Sequence, residues 1–154
     1  MATTTPTTID ASKTQESMKV GKRLVELCQQ GENRKAIEEL YADTVNVVEA
    51  MDCTQMPGYD DMPEEWKTAH AAGPTSKAQL LKGSDWFFEN NEIHGGDIQG
   101  PYPLGDEFAC FMSLDCTPKA GPMAGQRMNM SECCVYKVKD GKIVESRFYY
   151  GMDC

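Results

Sequence analysis

Histidine is nearly absent from this chain: His70 and His94 are the only two among 154 residues, and none of the seven cysteines forms a CxxC pair. These shortages remove the common zinc patterns. No phosphate-binding glycine loop or dinucleotide fingerprint is present, so nothing in the sequence calls for a cofactor or a metal. No apolar run is long enough to cross a bilayer. The opening stretch MATTTPTTIDASKTQ lacks a basic start and an apolar core, unlike a secretory signal, and lacks arginine, unlike a transit peptide. Positive charge is scarce as well: 15 Lys and Arg stand against 24 Asp and Glu, a net charge of −9. That balance argues against nucleic acid or an anionic membrane as a partner.

The cysteines are Cys28, Cys53, Cys110, Cys116, Cys133, Cys134 and Cys154. Their number is odd and their spacing irregular. Cys133 and Cys134 point to opposite faces if they lie on a strand, which disfavours a disulfide between them. Free, mostly buried thiols in a reducing cytoplasm are the expectation.

What is present describes one domain, with 40% hydrophobic residues and a length sufficient for a core without staples. Residues 1–16 form a polar, partly disordered tail, and residues 17–154 form the domain. Met18, Leu24, Leu27 and Cys28 share a helical stripe that Gly31 ends. Asn33 can cap a second, short helix with Ile37, Leu40 and Tyr41 on its apolar side. TVNVVEAM, residues 44–51, is a strand by its β-branched content. Residues 52–73, rich in Pro, Gly and acid with scattered Met, Tyr and Trp, form an irregular segment expected to act as a flap. Ser76 and Gln79 make a capping box for a third helix to about Asn90. From there the period is two: EIHGGDIQGPY, with glycines that bend it, then EFACFMSLDCT, then a final pair of strands. Helices first and a meander last predict an α+β fold, with about three helices on one face of a curved antiparallel sheet.

The final pair, MNMSECCVYKVKDGKIVESRFYY, flanks Asp140-Gly141, a strong hairpin signal. A two-residue turn with regular strands puts Lys139 opposite Lys142, Val138 opposite Ile143, Tyr136 opposite Glu145, Cys134 opposite Arg147 and Glu132 opposite Tyr149. Val138 and Ile143 mark that face as the inner one. It then carries Glu132, a carboxylate that must be paired, protonated or facing a cavity. A slip of one residue would exchange the faces.

The ending YKVKDGKIVESRFYY, and the opening VGKRLVELCQQGENRKAIEELYADTVNVVEA with its "LYAD" helix end, resemble the SnoaL-like branch of the nuclear-transport-factor-2-like superfamily. The resemblance spans roughly Met18 to Tyr150. It implies a cone-shaped domain whose sheet wraps a cavity closed by helices. It also implies a homodimer formed through the convex sheet face. Members include polyketide cyclases, steroid isomerases, dehydratases, epoxide hydrolases and non-enzymatic binding or association modules. In the enzymes an acidic residue or an Asp–His pair inside the cone transfers protons; no such pair is matched here residue by residue.

Glu132 is the leading catalytic candidate, a general acid or base among Met130, Cys134 and Met112. The competing expectation is a buried ion pair with Arg147 that also accepts from Tyr149. On a cavity wall, Arg147 could instead hold an anionic group and Tyr149 could donate to an oxyanion. His94 is the candidate acid–base partner, or else an ordinary rim histidine beside a glycine bend, with Asp97 on the opposite face unless a bulge intervenes. Trp86, Phe87 and Phe88 are expected as core and cavity wall, Tyr41 at the cavity mouth, and Met112 and Met130 in the lining. Tyr136 and Glu145 are expected as a structural pair near the rim, and Asp115 as outward. His70 and Trp66 belong to the flap. Such a pocket suits a small hydrophobic or aromatic ligand with one polar handle. Two functions stay open: a cofactor-free acid–base enzyme of isomerase, cyclase or dehydratase type, and a non-catalytic binding or association module.

Overall fold

The structure is a computed structural model and describes residues 8–151. Cys154 and the first seven residues of the expected tail lie outside that range. The first helix, α1, runs Ala11–Gln29, starting well before the expected residue 17. Its added turns carry no apolar stripe. They are fixed by polar contacts: Asp10 accepts from the Ser12 N–H at 2.9 Å, Thr14 Oγ1 accepts from the Gly105 N–H at 2.9 Å, and Ser17 Oγ donates to the Gly105 carbonyl at 2.8 Å. A cap plus tertiary bonds replaces hydrophobic periodicity here, which is why the pattern missed it. Gly31, at φ 73°, ends the helix as expected. The second helix, α2, spans Asn33–Leu40, with Glu32 rather than Asn33 at the cap position. Strand β1, Tyr41–Glu49, follows at once and takes in Tyr41.

The irregular segment contains two short 3-10 turns, Cys53–Gln55 and Tyr59–Asp61, the helix α3 (Glu64–Ala69) and the strand β2 (Gly73–Ser76). Helix α4, Lys77–Glu89, begins with the expected reciprocal box, in which Ser76 and Gln79 satisfy each other's backbone N–H. Helix α3 lies directly on α4. Gly83 permits that approach, since a Cβ there would sit 3.0 Å from the Ala69 Cα.

The remaining strands are β3 (Asn91–Leu104), β4 (Glu107–Pro118), β5 (Met128–Lys139) and β6 (Lys142–Tyr150). One six-stranded sheet has the order β2-β1-β6-β5-β4-β3. Neighbours are antiparallel except β1 and β6, which are parallel, so the sheet is mixed. The α+β architecture is as expected, a curved sheet with helices on one face. The glycine-rich β3 slips register between Ile93 and Gly95 and again between Gln99 and Tyr102, which bends it. On the concave face Phe108 and Cys110 of β4 and Cys134, Tyr136 and Val138 of β5 are buried against Val20, Leu24 and Leu27 of α1.

The last hairpin turns at Asp140 and Gly141, both at positive φ (53° and 74°), as a primed two-residue turn requires. Lys139 faces Lys142 and Val138 faces Ile143, as expected. The next pair is Lys137 with Glu145, so Val144 has no partner and forms a bulge. From there every residue of β6 is displaced by one. Tyr136 faces Ser146, Val135 faces Arg147, Cys134 faces Phe148 and Glu132 faces Tyr150. The predicted pairs Tyr136–Glu145, Cys134–Arg147 and Glu132–Tyr149 do not form. The bulge sends Glu145, Arg147 and Tyr149 to the convex face and brings Ser146, Phe148 and Tyr150 to the concave one.

Candidate functional site

Between the helices and the concave face lies a cavity of about 960 Å³, within the range of small-molecule sites. Leu24, Ile37, Phe87 and Phe88 close it from the helix side, and Ile98, Met112, Leu114 and Met130 from the sheet. Tyr41, Tyr136 and Phe148 form its floor. Tyr136 is held by an offset stack on Phe108 (5.0 Å, 28°) and edge contacts with Tyr41 (6.5 Å) and Phe148 (6.4 Å). Burial pushes both tyrosine hydroxyls well above the usual phenol range.

Glu132 lies on the cavity wall. The Cys134 Sγ–H donates to its Oε1 at 3.5 Å, a long and weak contact. Loss of water raises its pKa above the ordinary 4.5, and no cation among the described residues offsets this. Across β6, Glu49 continues the inward row of Val45 and Val47 in β1. The Tyr150 hydroxyl donates to Glu49 Oε2 at 3.2 Å and accepts from the Met51 N–H at 3.3 Å. Desolvation first, and the nearby Glu132 carboxylate second among the raising causes, lift Glu49 to about 7. Glu49, Tyr150 and Glu132 therefore occupy one end of the concave face on three successive strands, β1, β6 and β5.

The sequence candidates divide sharply. Glu132, Met112, Met130 and Tyr41 line the cavity. Tyr41 lies on its floor rather than at its mouth. Arg147 is not the partner of Glu132: its guanidinium bonds Glu107 of β4 and lies 3.3 Å from Glu145, both on the convex face. Tyr149 is half-exposed on that same face. His94 sits at the first β3 bulge, exposed, with Nε2 2.8 Å from Thr117 Oγ1, so it does not face Glu132. The bulge does not join His94 to Asp97, whose carboxylate instead accepts from Gln99 at 3.1 Å. Trp86 is absent from the lining and turns toward α3, edge-on to His70 at 6.3 Å. His70 in turn stacks on the buried Trp66 at 4.2 Å. No residue of 52–73 lines the cavity, so this segment buttresses α4 rather than covering the pocket. Asp115 is outward as expected, in a two-bonded pair with Arg127 at 2.9 and 2.7 Å.

Tyr136, expected near the rim beside Glu145, is instead buried and faces Ser146, and Glu49 and Tyr150 are the residues that sequence reasoning missed. A signal existed for each. Glu49 ends an alternation, Val45, Val47, Glu49, whose inner face is apolar. In β6 the charges fall on Glu145 and Arg147 while Ser146 and Phe148 intervene, a pattern that fits an inward Ile143 only with one extra residue between. Among the described residues six cysteines are free, and Cys110, Cys116 and Cys134 are buried. Among the described residues, no group of three or more His, Cys, Asp or Glu is arranged to hold a metal ion, and no helix is long and apolar enough to cross a membrane.

The model of the SnoaL-like domain matches residues 14–150. A solved structure from Mesorhizobium loti, provisionally described as a SnoaL-like polyketide cyclase, is 38% identical and superposes with a TM-score of 0.68, covering 86% of this chain and 97% of its own. An epoxide hydrolase of the LEH-like type from Mycobacterium tuberculosis shares the fold at 14% identity and a TM-score of 0.55, over 90% of this chain and 85% of its own. An NTF2-like protein from Burkholderia pseudomallei does so at 9% identity and a TM-score of 0.58, over 88% and 91%. No curated protein matches the sequence.

Proposed function

This chain belongs to the SnoaL-like domain family, and we propose that it binds a small hydrophobic or aromatic molecule and performs cofactor-free acid–base chemistry on it, of isomerase, cyclase or dehydratase type. Glu132 is the base. The supporting observation is a carboxylate on the wall of a largely apolar cavity with no cationic partner among the described residues. A desolvated carboxylate with a raised pKa is a stronger base than one in water, and it removes a proton next to a carbonyl when the compound's acidic carbon lies within hydrogen-bond reach. The description of the Mesorhizobium loti neighbour as a cyclase agrees with this chemistry. The test is exchange of carbon-bound hydrogen for deuterium in a panel of aryl ketones and β-diketones. Wild type is expected to accelerate exchange in one subset, and Glu132→Gln to lose about 10²-fold or more of it. Equal exchange by both proteins removes Glu132 from the chemistry.

A second reading, association through the sheet, is favoured by a different observation. Tyr102, Phe111 and Tyr149 leave 55%, 52% and 50% of their surface exposed on the convex side. Tyr102 and Phe111 touch edge to face at 6.0 Å. We infer that this surface joins two copies into a homodimer, which does not compete with ligand binding on the concave side. The free thiols fit a reducing compartment, and the cytoplasm is the proposed location.

A further inference from the structure

The inner row of β5 grades from outside to inside. Met130 is exposed, Glu132 half-buried, and Cys134 and Tyr136 buried. The cavity therefore opens beside Glu132 and is deepest at Tyr136. Four residues of extended chain separate the two, a depth of about 13 Å. Met112 faces Glu132 directly from β4, and Phe148, opposite Cys134, is its diagonal neighbour on β6. The charges of the lining have one sign. Asp97 and Glu132 are its charged residues, and no lysine, arginine or histidine among the described residues lines the cavity. Asp97 is exposed and accepts from Gln99, so Glu132 is the charge withdrawn from water. Each arginine of the chain is engaged by carboxylates outside the lining: Arg23 by Glu26 and Glu39, Arg34 by Glu38 and Asp85, Arg127 by Asp115, and Arg147 by Glu107 and Glu145.

A neutral ligand leaves Glu132 uncompensated, and an anion adds a second like charge. An inorganic cation finds too few oxygens to replace its water, since no group of three or more His, Cys, Asp or Glu is gathered among the described residues. An organic ammonium is compensated twice, by the carboxylate and by the faces of nearby rings. Tyr41 and Phe148 stand at 78° and 89° to Tyr136, so the floor offers ring planes in more than one direction. We infer that this cavity selects an elongated apolar amine. Its ammonium head pairs with Glu132 near the opening, and its hydrocarbon or aromatic body lies over Phe148 toward Tyr136 and Tyr41. The head keeps part of its hydration there, while the body leaves water. This narrows the ligand class of the reading above and rests on its cavity, but not on Glu132 acting as a base.

Calorimetric titration of the full chain with phenylhexylamine, phenylhexanol and phenylhexanoate tests this. The three share one skeleton and differ in the charge of the head. At neutral pH wild type is expected to bind the amine about 10- to 100-fold more tightly than the alcohol, the range for a hydrogen bond to a charged group, and phenylhexanoate more weakly than either. Glu132→Gln is expected to bring amine and alcohol to the same affinity. Met112→Lys, which puts a resident ammonium directly opposite Glu132, is expected to do so from another strand, and it keeps the test open where Glu132→Gln does not fold. An alcohol bound as tightly as the amine, or no binding of the amine, overturns the inference. So does an amine preference that survives the substitutions, which marks attraction to the acidic surface instead. Deuterium exchange judges the base reading separately. Amine selection without exchange upholds the inference and leaves a cation-binding module; exchange without amine selection overturns it and leaves a base acting on neutral compounds.

Discussion

Replacing Glu49 with glutamine tests the electrostatic description of the concave face through stability alone. In the unfolded chain Glu49 ionises near 4.5; in the folded protein it keeps its proton until about 7. Between those values the folded state holds more protons than the unfolded state, so unfolding free energy falls as pH rises. The stabilisation of the folded state relative to an ionised Glu49 is fully present below 4.5 and is lost as pH passes through about 7. Taken at face value, that separation is worth about 3 kcal/mol. Glu49 is only half-buried, so solvent screening reduces the expected effect to about 1–2 kcal/mol. Glutamine keeps the shape and cannot ionise. Urea unfolding at pH 5 and pH 8 provides the assay. Wild type is expected to lose about 1–2 kcal/mol more than Glu49→Gln between the two, a midpoint difference of roughly 0.5–1 M. Taking the difference between the proteins removes the general self-repulsion of an acidic chain, which both share. An equal pH dependence in the two proteins refutes the claim that Glu49 is desolvated beside an uncompensated Glu132.

Two further outcomes follow from the packing. Gly21 of α1 lies against β3, where an added Cβ would sit 2.6 Å from Pro101 Cβ and 3.0 Å from the buried Phe108 ring. Gly21→Ala is therefore expected to destabilise by about 1–2 kcal/mol despite its better helix propensity, whereas Gly95→Ala, with open space around it, is expected to be neutral or slightly stabilising in the same denaturation series. Phe111→Glu on the convex face is expected to shift the protein from dimer to monomer by sedimentation while leaving the deuterium-exchange rate at the concave face intact; a monomeric wild type removes the association reading.

Much of this fold is legible in the sequence because its signals are local. The capping box at Ser76 and Gln79, the Asp140-Gly141 turn and the alternation of Phe108, Cys110, Met112 and Leu114 each depend on a few consecutive residues. They fix the helix–strand order, the direction of the final hairpin and the side of β4 and β5 that faces the core. Glu132 was legible for the same reason: it shares the parity of Cys134, Tyr136 and Val138 in one unbroken strand.

What the sequence did not settle is the partner of Glu132, because that depends on one residue in a neighbouring strand. The bulge at Val144 reverses the parity of β6, exchanging Arg147 for Phe148 and Tyr149 for Tyr150 on the concave face. A carboxylate expected to pair with arginine is left without a cationic partner among the described residues. Glu49 enters the site only because β1 runs parallel beside β6, a pairing between segments about a hundred residues apart. His94, Trp86 and the 52–73 segment were placed by composition, which carries no direction; the β3 bulge and the close α3–α4 contact at Gly83 turned them away from the cavity. Local chemistry determined the elements and the inner carboxylate of β5. Only the tertiary structure, through strand register and helix approach, decided which other groups share that carboxylate's solvent-poor surroundings.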